Sequence, residues 1–159
     1  DKQTTAASEF EILAPVSGEL VHLENTNDPA FSSRAVGDGV AVVPQEGTVC
    51  APVSGTVAAL FPTEHALGIM SDDSSAQVML HIGIDTVKLE GKGFHALVAQ
   101  GDHVDASQPL VEVDFDVVRA AGFDPTVFVI VCERSENSTL REHASGPVAV
   151  KEPVVWLSE

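Results

Sequence analysis

A motif that occurs twice places the strongest constraint on how this sequence folds. Ala14–Leu23 reads APVSGELVHL, and Ala51–Leu60 reads APVSGTVAAL. In each copy a proline-led turn and a glycine precede a strand-like stretch. One internal repeat in a chain of 159 residues indicates that a β-unit has been duplicated, since a solenoid would need more copies.

Short apolar runs elsewhere support a β-rich fold. They lie between closely spaced glycine and proline residues, at 36–43, 110–114, 127–131 and 148–155. This spacing is typical of antiparallel proteins and not of alternating strands and helices. Only 117–122 has the pattern of a helix, which Gly122 would end. We therefore predict an all-β fold, an antiparallel sandwich or barrel built from a duplicated β-motif, with at most one or two short helices.

The distribution of polar residues indicates the domain organisation. The uneven polar sequence of residues 1–11 predicts a flexible N-terminal tail, and residues 12–159 form a single predicted domain. The first residues lack the basic and apolar stretches of a signal peptide, and no run is long and apolar enough to span a membrane. We therefore expect a cytoplasmic protein without direct membrane insertion.

An excess of acidic residues limits the partners of this chain. Its net charge is −16, which argues against binding to nucleic acid or to anionic membranes. The sequence also lacks the glycine-rich loop with lysine that binds nucleotide phosphates. A phosphoryl group would therefore arrive more readily on a basic carrier protein than as a free nucleotide.

The stretch Thr63–Val87 has the pattern of a β-hairpin. Two apolar runs flank the sequence SDDSS, whose serine and aspartate content is typical of a turn. If the turn is symmetric about Asp73, His65 faces His81 on the neighbouring strand. Residues directly opposed in an antiparallel pair have Cβ atoms about 4.5–5.5 Å apart, so this register would bring two imidazoles together.

Alternation along the hairpin separates a core face from a contact face. The predicted core face carries only apolar or small residues, namely Ala66, Gly68, Met70, Ala76, Val78, Leu80, Ile82 and Ile84. The other face carries both histidines together with Leu67, Gln77, Met79, Gly83 and Asp85. A face that mixes imidazoles, a carboxylate and apolar side chains is suited to contact another molecule.

A pair of histidines can perform two kinds of chemistry. With a third and a fourth ligand it binds zinc. Alternatively, one neutral imidazole is a nucleophile and the second donates a hydrogen bond to the charge that develops. Thr63 could fix the tautomer of His65. Asp85 lies too far along the strand from His81 for a catalytic pair and is better placed to bind a basic residue of a partner. The residues alone leave both interpretations open, beside that of ordinary structural histidines.

The string VMLHIGIDTV, together with the two APVSG copies, VGDGVAV and TEHA, resembles the glucose-type enzyme IIA domain of the bacterial phosphoenolpyruvate-dependent sugar phosphotransferase system. The resemblance runs from Ile12 to Val131. It implies an antiparallel β-sandwich and a phosphotransferase in which His81 accepts a phosphoryl group, through Nε2, from the histidine-containing phosphocarrier protein. His81 would then pass the group to a cysteine on the IIB domain of a sugar permease, with His65 hydrogen-bonding the phosphate and Thr63 supporting His65.

The same resemblance implies a docking surface of apolar residues with carboxylates at its rim. The family positions map onto Asp28, Phe31, Val36, Phe61, Met79 and Asp85. No cofactor or metal is implied beyond the phosphohistidine intermediate, except that His65 and His81 could hold zinc with ligands from a partner. Regulated permeases and metabolic enzymes are further expected partners of this surface.

Three alternatives compete with phosphoryl transfer. A regulatory binding module could use the same surface without turnover. A zinc hydrolase with the same β-architecture needs a His-x-His pair, which the sequence lacks. A biotinyl or lipoyl carrier needs a lysine between hydrophobic residues at a tight turn, but Lys92 lies in EGKGF without them.

Overall fold

Fourteen strands, two short α-helices and two 3-10 turns make up the regular structure of residues 9–159, the part of the chain that the computed structural model describes. The strands are β1 (Glu9–Leu13), β2 (Gly18–His22), β3 (Asp38–Pro44), β4 (Thr48–Cys50), β5 (Gly55–Leu60), β6 (Ala66–Ser71), β7 (Ala76–Ile82), β8 (Phe94–Ala96), β9 (His103–Val104), β10 (Pro109–Val113), β11 (Val127–Arg134), β12 (Thr139–Glu142), β13 (Gly146–Val148) and β14 (Pro153–Ser158). The helices are α1 (Pro29–Ser32) and α2 (Phe115–Ala120), and the 3-10 turns are Leu23–Asn25 and Thr86–Leu89. The prediction of an all-β fold with one or two short helices is confirmed.

Each helix begins at an aspartate that caps it. Asp28 accepts a hydrogen bond from the amide of Ala30 (2.9 Å), and Pro29 occupies the first turn of α1. Asp114 caps α2 in the same way. Because Asp114 caps the helix, α2 begins at Phe115, two residues before the predicted helix at 117–122. Helix α1 was not predicted. No helix in the described part of the chain is long and apolar enough to cross a membrane.

The strands form three antiparallel sheets around one core. The large sheet has the order β13-β2-β3-β11-β7-β6-β5-β9, and the two small sheets have the orders β1-β14-β12 and β4-β10-β8. One cluster of buried apolar side chains runs from Ile12 to Leu157 and includes residues of all three sheets. The inner face of the large sheet therefore packs against the small sheets, as in a sandwich, and its outer face is left for other contacts.

The boundary of the predicted N-terminal tail needs correction. Residues 1–8 lie outside the described part of the chain, but residues 9–11 belong to β1, which pairs with β14. Phe10 and Ile12 both pack on the core. The alternation in EFEIL therefore marks a strand, and the predicted limit at residue 11 falls inside it.

The duplicated motif extends through the whole fold. From the centre of the large sheet outwards, the order β11-β3-β2-β13 matches β7-β6-β5-β9, and the small sheet β1-β14-β12 matches β4-β10-β8. Equivalent residues of the two halves also form equivalent strand pairs. Val148 lies opposite Gly18 in one half, and Val104 lies opposite Gly55 in the other. The two halves are therefore related by an approximate two-fold axis that passes between β7 and β11.

A second pair of repeated segments completes the duplication, at 101–113 and 145–157. Each contains a left-handed residue two positions before the proline that starts a strand, with φ 74° at Ser107 and φ 81° at Lys151. Only a valine, a proline and a second valine are identical between the aligned segments. This low identity explains why the sequence analysis found only the APVSG copies.

The glycine of each APVSG copy is required by the sheet. Gly18 faces β3 and Gly55 faces β6. A Cβ on Gly18 would collide with the carbonyl oxygen of Val43, and one on Gly55 with that of Met70. The repeated motif therefore marks two places where strands approach too closely for any side chain.

Candidate active site

The strands β6 and β7 form the predicted hairpin, but their register is shifted by one residue. Ala66, and not His65, lies opposite His81, and Leu67 lies opposite Leu80. Leu67 is consequently buried in the main core, whereas the prediction placed it on the contact face. The predicted faces of β6 are therefore exchanged, and the outer face that carries His81 consists of Ala66, Gly68, Met70, Gln77 and Met79.

Side chains in the turn account for the shift. The hydroxyl of Ser71 donates to Asp73 (3.0 Å) and accepts from the amide of Ala76 (3.1 Å). The amide of Ser75 donates to the same carboxylate (2.9 Å), and Ser74 is left-handed, with φ 60°. The turn therefore closes between Ser71 and Ala76 and is not symmetric about Asp73.

His65 nevertheless lies beside His81, with ring centroids 5.1 Å apart and planes at 83°. It precedes β6, and Glu64 before it is left-handed (φ 65°), so strand alternation does not apply to it. Its carbonyl accepts a hydrogen bond from the amide of Ile82 (2.8 Å), which holds it next to β7. The two imidazoles are thus neighbours, as the sequence indicated, but through a different backbone path.

The protonation of His81 follows from its hydrogen bond. Nδ1 of His81 lies 2.8 Å from the carbonyl oxygen of Gly83. A carbonyl oxygen only accepts hydrogen bonds, so Nδ1 carries the proton and Nε2 of the neutral ring keeps a lone pair. Because the side chain is partly exposed on the outer face, this lone pair is a candidate nucleophile.

His65 is buried, with 3% of its surface exposed. The hydroxyl oxygen of Thr63 lies 2.6 Å from its Nδ1. When the hydroxyl donates to Nδ1, the ring proton is on Nε2, which becomes a hydrogen-bond donor. The ring of Phe61 contacts His65 edge-on, at 5.5 Å between centroids. One imidazole can therefore supply a lone pair and its neighbour a proton donor.

Burial keeps both rings uncharged near neutral pH. Burial, followed by the charge of a protonated His81, lowers the pKa of His65 to about 4. Burial also lowers the pKa of His81, although the Gly83 carbonyl and the carboxylates of Asp28 and Asp85 act in the opposite direction. The neutral His81 ring therefore keeps the Nε2 lone pair that a nucleophile needs.

A small apolar cluster supports His81 on the outer face of the large sheet. Its buried members are Leu23, Phe31, Ala41, Phe128 and Ile130. Phe31 stacks on Phe128 at 4.5 Å between centroids, and the ring of Phe31 is 5.2 Å from that of His81. Phe128 also lies directly opposite His81 on β11. Phe128 was not among the predicted site residues, because VFVIV has the pattern of a core strand and only alternation indicates that Phe128 faces outwards.

Five of the six predicted docking residues are at least partly exposed, namely Asp28, Val36, Phe61, Met79 and Asp85. Phe31 is the exception, since only 6% of its surface is exposed, and it forms a wall beside His81. Val87 lies two residues beyond Asp85 and is 50% exposed, so it is an apolar surface residue that the sequence analysis did not include.

His65 and His81 are also the side chains that a metal ion would contact. Residues 9–159 contain no group of three or more His, Cys, Asp or Glu side chains suited to hold a metal ion. Since zinc sites in proteins use three or four protein ligands, a metal at this pair would need ligands from a partner.

Comparison with known proteins identifies a protein family and relatives whose names agree with it. A family model described as phosphoenolpyruvate-dependent sugar phosphotransferase system, EIIA 1, matches residues 10–137. The PTS system glucose-specific EIICBA component of Streptococcus pneumoniae is 40% identical over 144 residues, which cover 91% of this chain and 20% of that protein. The PTS system beta-glucoside-specific EIIBCA component of Bacillus subtilis is 42% identical over 147 residues, covering 92% of this chain and 24% of that protein. The chain therefore spans about a fifth to a quarter of the length of these curated relatives.

A solved structure has the same fold over nearly the whole chain. Glucose permease IIA from Mycoplasma capricolum superposes with a TM-score of 0.85 at 34% sequence identity. The match covers 93% of this chain and 95% of that one. The similarity therefore includes both halves of the duplicated fold.

Proposed function

Because the chain belongs to the EIIA 1 family of the phosphoenolpyruvate-dependent sugar phosphotransferase system, we propose that it carries a phosphoryl group transiently on Nε2 of His81. The chain is the EIIA domain, the phosphoryl-transfer component of that system. One observation carries the assignment to this nitrogen, namely the 2.8 Å hydrogen bond from Nδ1–H of His81 to the Gly83 carbonyl, which leaves Nε2 as the nucleophile.

The proposed step exchanges one phosphorus–nitrogen bond for another. Nε2 of His81 bonds to phosphorus while the bond to the donor histidine breaks, and the electron pair of the broken bond returns to the donor ring. No proton has to leave His81, because the proton on Nδ1 stays there, hydrogen-bonded to the Gly83 carbonyl. The donor ring becomes a neutral imidazole, and the acceptor ring takes up its positive charge, so the charges balance.

His65 has the proposed role of stabilising the transferring group. With the Thr63 hydroxyl donating to Nδ1, Nε2 of His65 carries the ring proton and can donate it to the phosphoryl oxygens when the group lies on the neighbouring ring. Phosphoryl transfer depends mainly on positioning and on stabilising charge on these oxygens. A neutral donor suits a site that must also release the group.

We further propose the histidine-containing phosphocarrier protein as donor and a cysteine of a IIB domain as acceptor. The relatives are named EIICBA or EIIBCA components, which supports a IIB partner. The charges of Asp28 and Asp85 act at His81, and exposed apolar side chains such as Phe61 and Val36 offer a surface to bury. A partner with basic residues around an apolar centre would be attracted to this surface, and docking would exclude water from the reacting nitrogen.

We propose the cytoplasm as the site of action. The proposed donor receives its phosphoryl group from phosphoenolpyruvate through enzyme I, and phosphoenolpyruvate is a metabolite of the cell interior. A domain that exchanges phosphate with this donor has to meet it in the same compartment.

The test is phosphorylation with phosphoenolpyruvate, enzyme I and the phosphocarrier protein, followed by mapping of the acid-labile phosphate. We expect the phosphate on His81 and none on the His81→Gln variant. His103→Gln is the matched control, because His103 is an exposed imidazole paired with Asp72 and should not affect phosphate uptake. Phosphate uptake by His81→Gln at the wild-type level would overturn the proposal.

A second variant separates the roles of the two histidines. His65→Gln should still accept phosphate but pass it to a IIB domain roughly a hundredfold more slowly, because the flexible glutamine amide does not place a donor where the imidazole Nε2–H lies. The measurement is a single-turnover transfer from the phosphorylated variant to isolated IIB domain. Transfer at the wild-type rate would show that His65 does not take part.

A further inference from the structure

Arg34 connects three separate elements next to the candidate site. Its guanidinium contacts Glu24 at 2.9 Å, Asp38 at 3.1 Å and Glu142 at 2.8 Å, and a second contact to Glu142 at 3.3 Å makes that pair bidentate. Glu24 lies in the first 3-10 turn, Asp38 begins β3, and Glu142 ends β12. Arg34 therefore ties both ends of the segment 24–38 to a strand that is distant in sequence.

The segment 24–38 carries residues of the site. It contains α1, its cap Asp28, and Phe31, whose ring stacks on Phe128 and lies 5.2 Å from His81. The helix has only four residues, Pro29–Ser32, so its own hydrogen bonds provide little stability. Contacts outside the helix must therefore hold Phe31 in position.

Arg34 combines a left-handed backbone with a charged side chain that forms ion pairs. Its φ of 64° is left-handed, a conformation that is unfavourable for residues other than glycine. The hydrogen bond between Arg34 and Glu142 raises the pKa of Arg34. The hydrogen bond between Arg34 and Glu24 lowers the pKa of Glu24, so both groups stay charged. Without Arg34, the carboxylates of Glu24, Asp38 and Glu142 would face one another with less compensating charge.

We infer that Arg34 is a positioning residue, which holds the segment 24–38 closed so that Phe31 lies against His81 before the phosphoryl donor docks. The inference rests on the proposed phosphoryl transfer to His81. A preformed docking surface spares the complex the free-energy cost of ordering this segment on binding. Loss of Arg34 should therefore weaken binding of the donor and leave the chemical step largely unchanged.

The test compares Arg34→Gln with the wild-type chain in steady-state phosphorylation by the phosphocarrier protein. We expect the KM for the phosphocarrier to rise about three- to tenfold, while kcat at saturating donor changes less than about twofold. Arg34→Lys keeps one charge but cannot bridge three carboxylates, so its KM should fall between the two. Glu142→Gln, which leaves the Arg34 backbone unchanged, should shift the KM in the same direction.

Arg141→Gln provides the matched control. Arg141 also pairs with a carboxylate, Glu9, at 2.9 Å, and it packs on the ring of Trp156 in a small sheet. Its loss removes an arginine and an ion pair from the neighbouring position of β12 without releasing the segment 24–38. The control should therefore keep the wild-type KM.

Amide hydrogen exchange gives a readout that does not depend on phosphoryl transfer. In Arg34→Gln the amides of Ser32 and Ser33, which bond within α1, should exchange about three- to tenfold faster than in wild type, with no change in β7 or β11. An unchanged KM in Arg34→Gln, or unchanged exchange in α1, would overturn the inference. If the wild-type chain takes up no phosphate, the proposed function fails, and the exchange result alone decides the role of Arg34.

Discussion

At the scale of single residues, two histidines with the same side chain differ in proton placement because their partners differ. A carbonyl, which only accepts, fixes the proton of His81 on Nδ1. A hydroxyl, which can donate, lets His65 keep its proton on Nε2. Thr63 and the Gly83 carbonyl therefore determine which ring nitrogen keeps a lone pair and which ring nitrogen can donate a hydrogen bond.

The lowered pKa of His65 makes stability depend on pH. Its pKa is about 4 in the folded chain and about 6.5 when unfolded, so between these values the unfolded chain binds more protons. Stability should be constant above pH 6.5 and fall as the pH drops below it. By pH 5 this single group should cost about 2 kcal/mol. Urea unfolding at pH 8 and pH 5 measures the effect, which should be smaller in His65→Gln.

His103 offers a control with the opposite sign. Its hydrogen bond with Asp72 raises its pKa, so its contribution to stability is present below pH 6.5 and is lost as the pH rises through the higher folded value. His103→Gln should therefore lose stability at pH 5 and not at pH 8. Identical pH profiles for the two glutamine variants and wild type would contradict both assignments.

At the scale of elements, the repeated glycines set how closely the strands pack. We expect Gly18→Ala and Gly55→Ala each to destabilise the fold by about 2 kcal/mol or more, because the new methyl group meets the carbonyl of Val43 or Met70. Thermal unfolding of both variants, which sit at equivalent positions, measures this.

Gly68→Ala is the matched control within the same sheet. A Cβ on Gly68 has only Gln77 Nε2 nearby, at 3.8 Å, so alanine should be neutral or stabilising there. A melting temperature of Gly18→Ala or Gly55→Ala equal to that of Gly68→Ala would show that the strands can separate to admit a side chain.

The hairpin shows what could and could not be predicted from the sequence at this scale. Apolar alternation predicted β6 and β7 and the faces of β7, because burial imposes a period of two. The predicted register was wrong because the register depends on the hydrogen bonds of Ser71 and Asp73, which composition does not reveal. His65 reached His81 all the same, since a left-handed Glu64 redirects the chain. Alternation alone could not identify Phe128 as a neighbour of His81, because that contact depends on which strands are adjacent.

At the scale of the whole molecule, the net charge of −16 should govern the encounter with a basic donor. We expect the rate of phosphorylation at low donor concentration to fall roughly tenfold between low salt and 0.5 M salt, because screening removes the attraction. The measurement is kcat/KM for the phosphocarrier across a salt series. A rate that does not change with salt would contradict electrostatic steering.

The carboxylates near the site should supply most of this attraction. The double variant Asp28→Asn with Asp85→Asn should lose part of the salt dependence. Glu11→Gln with Glu112→Gln removes the same charge from exposed positions on the two small sheets, across the core from His81. That control should behave as wild type if position matters more than total charge.

The pairing of distant strands also has a consequence for synthesis. The hairpin that bears both imidazoles needs only a short turn to form, whereas β11 joins it from much later in the chain, and β1 has to wait for β14. Proteins rich in such long-range pairing commonly fold in about milliseconds to seconds. On the ribosome, the strand with His81 therefore emerges well before Phe128, which will lie opposite it. A newly made chain becomes able to dock its donor only after β11 and β14 have been made.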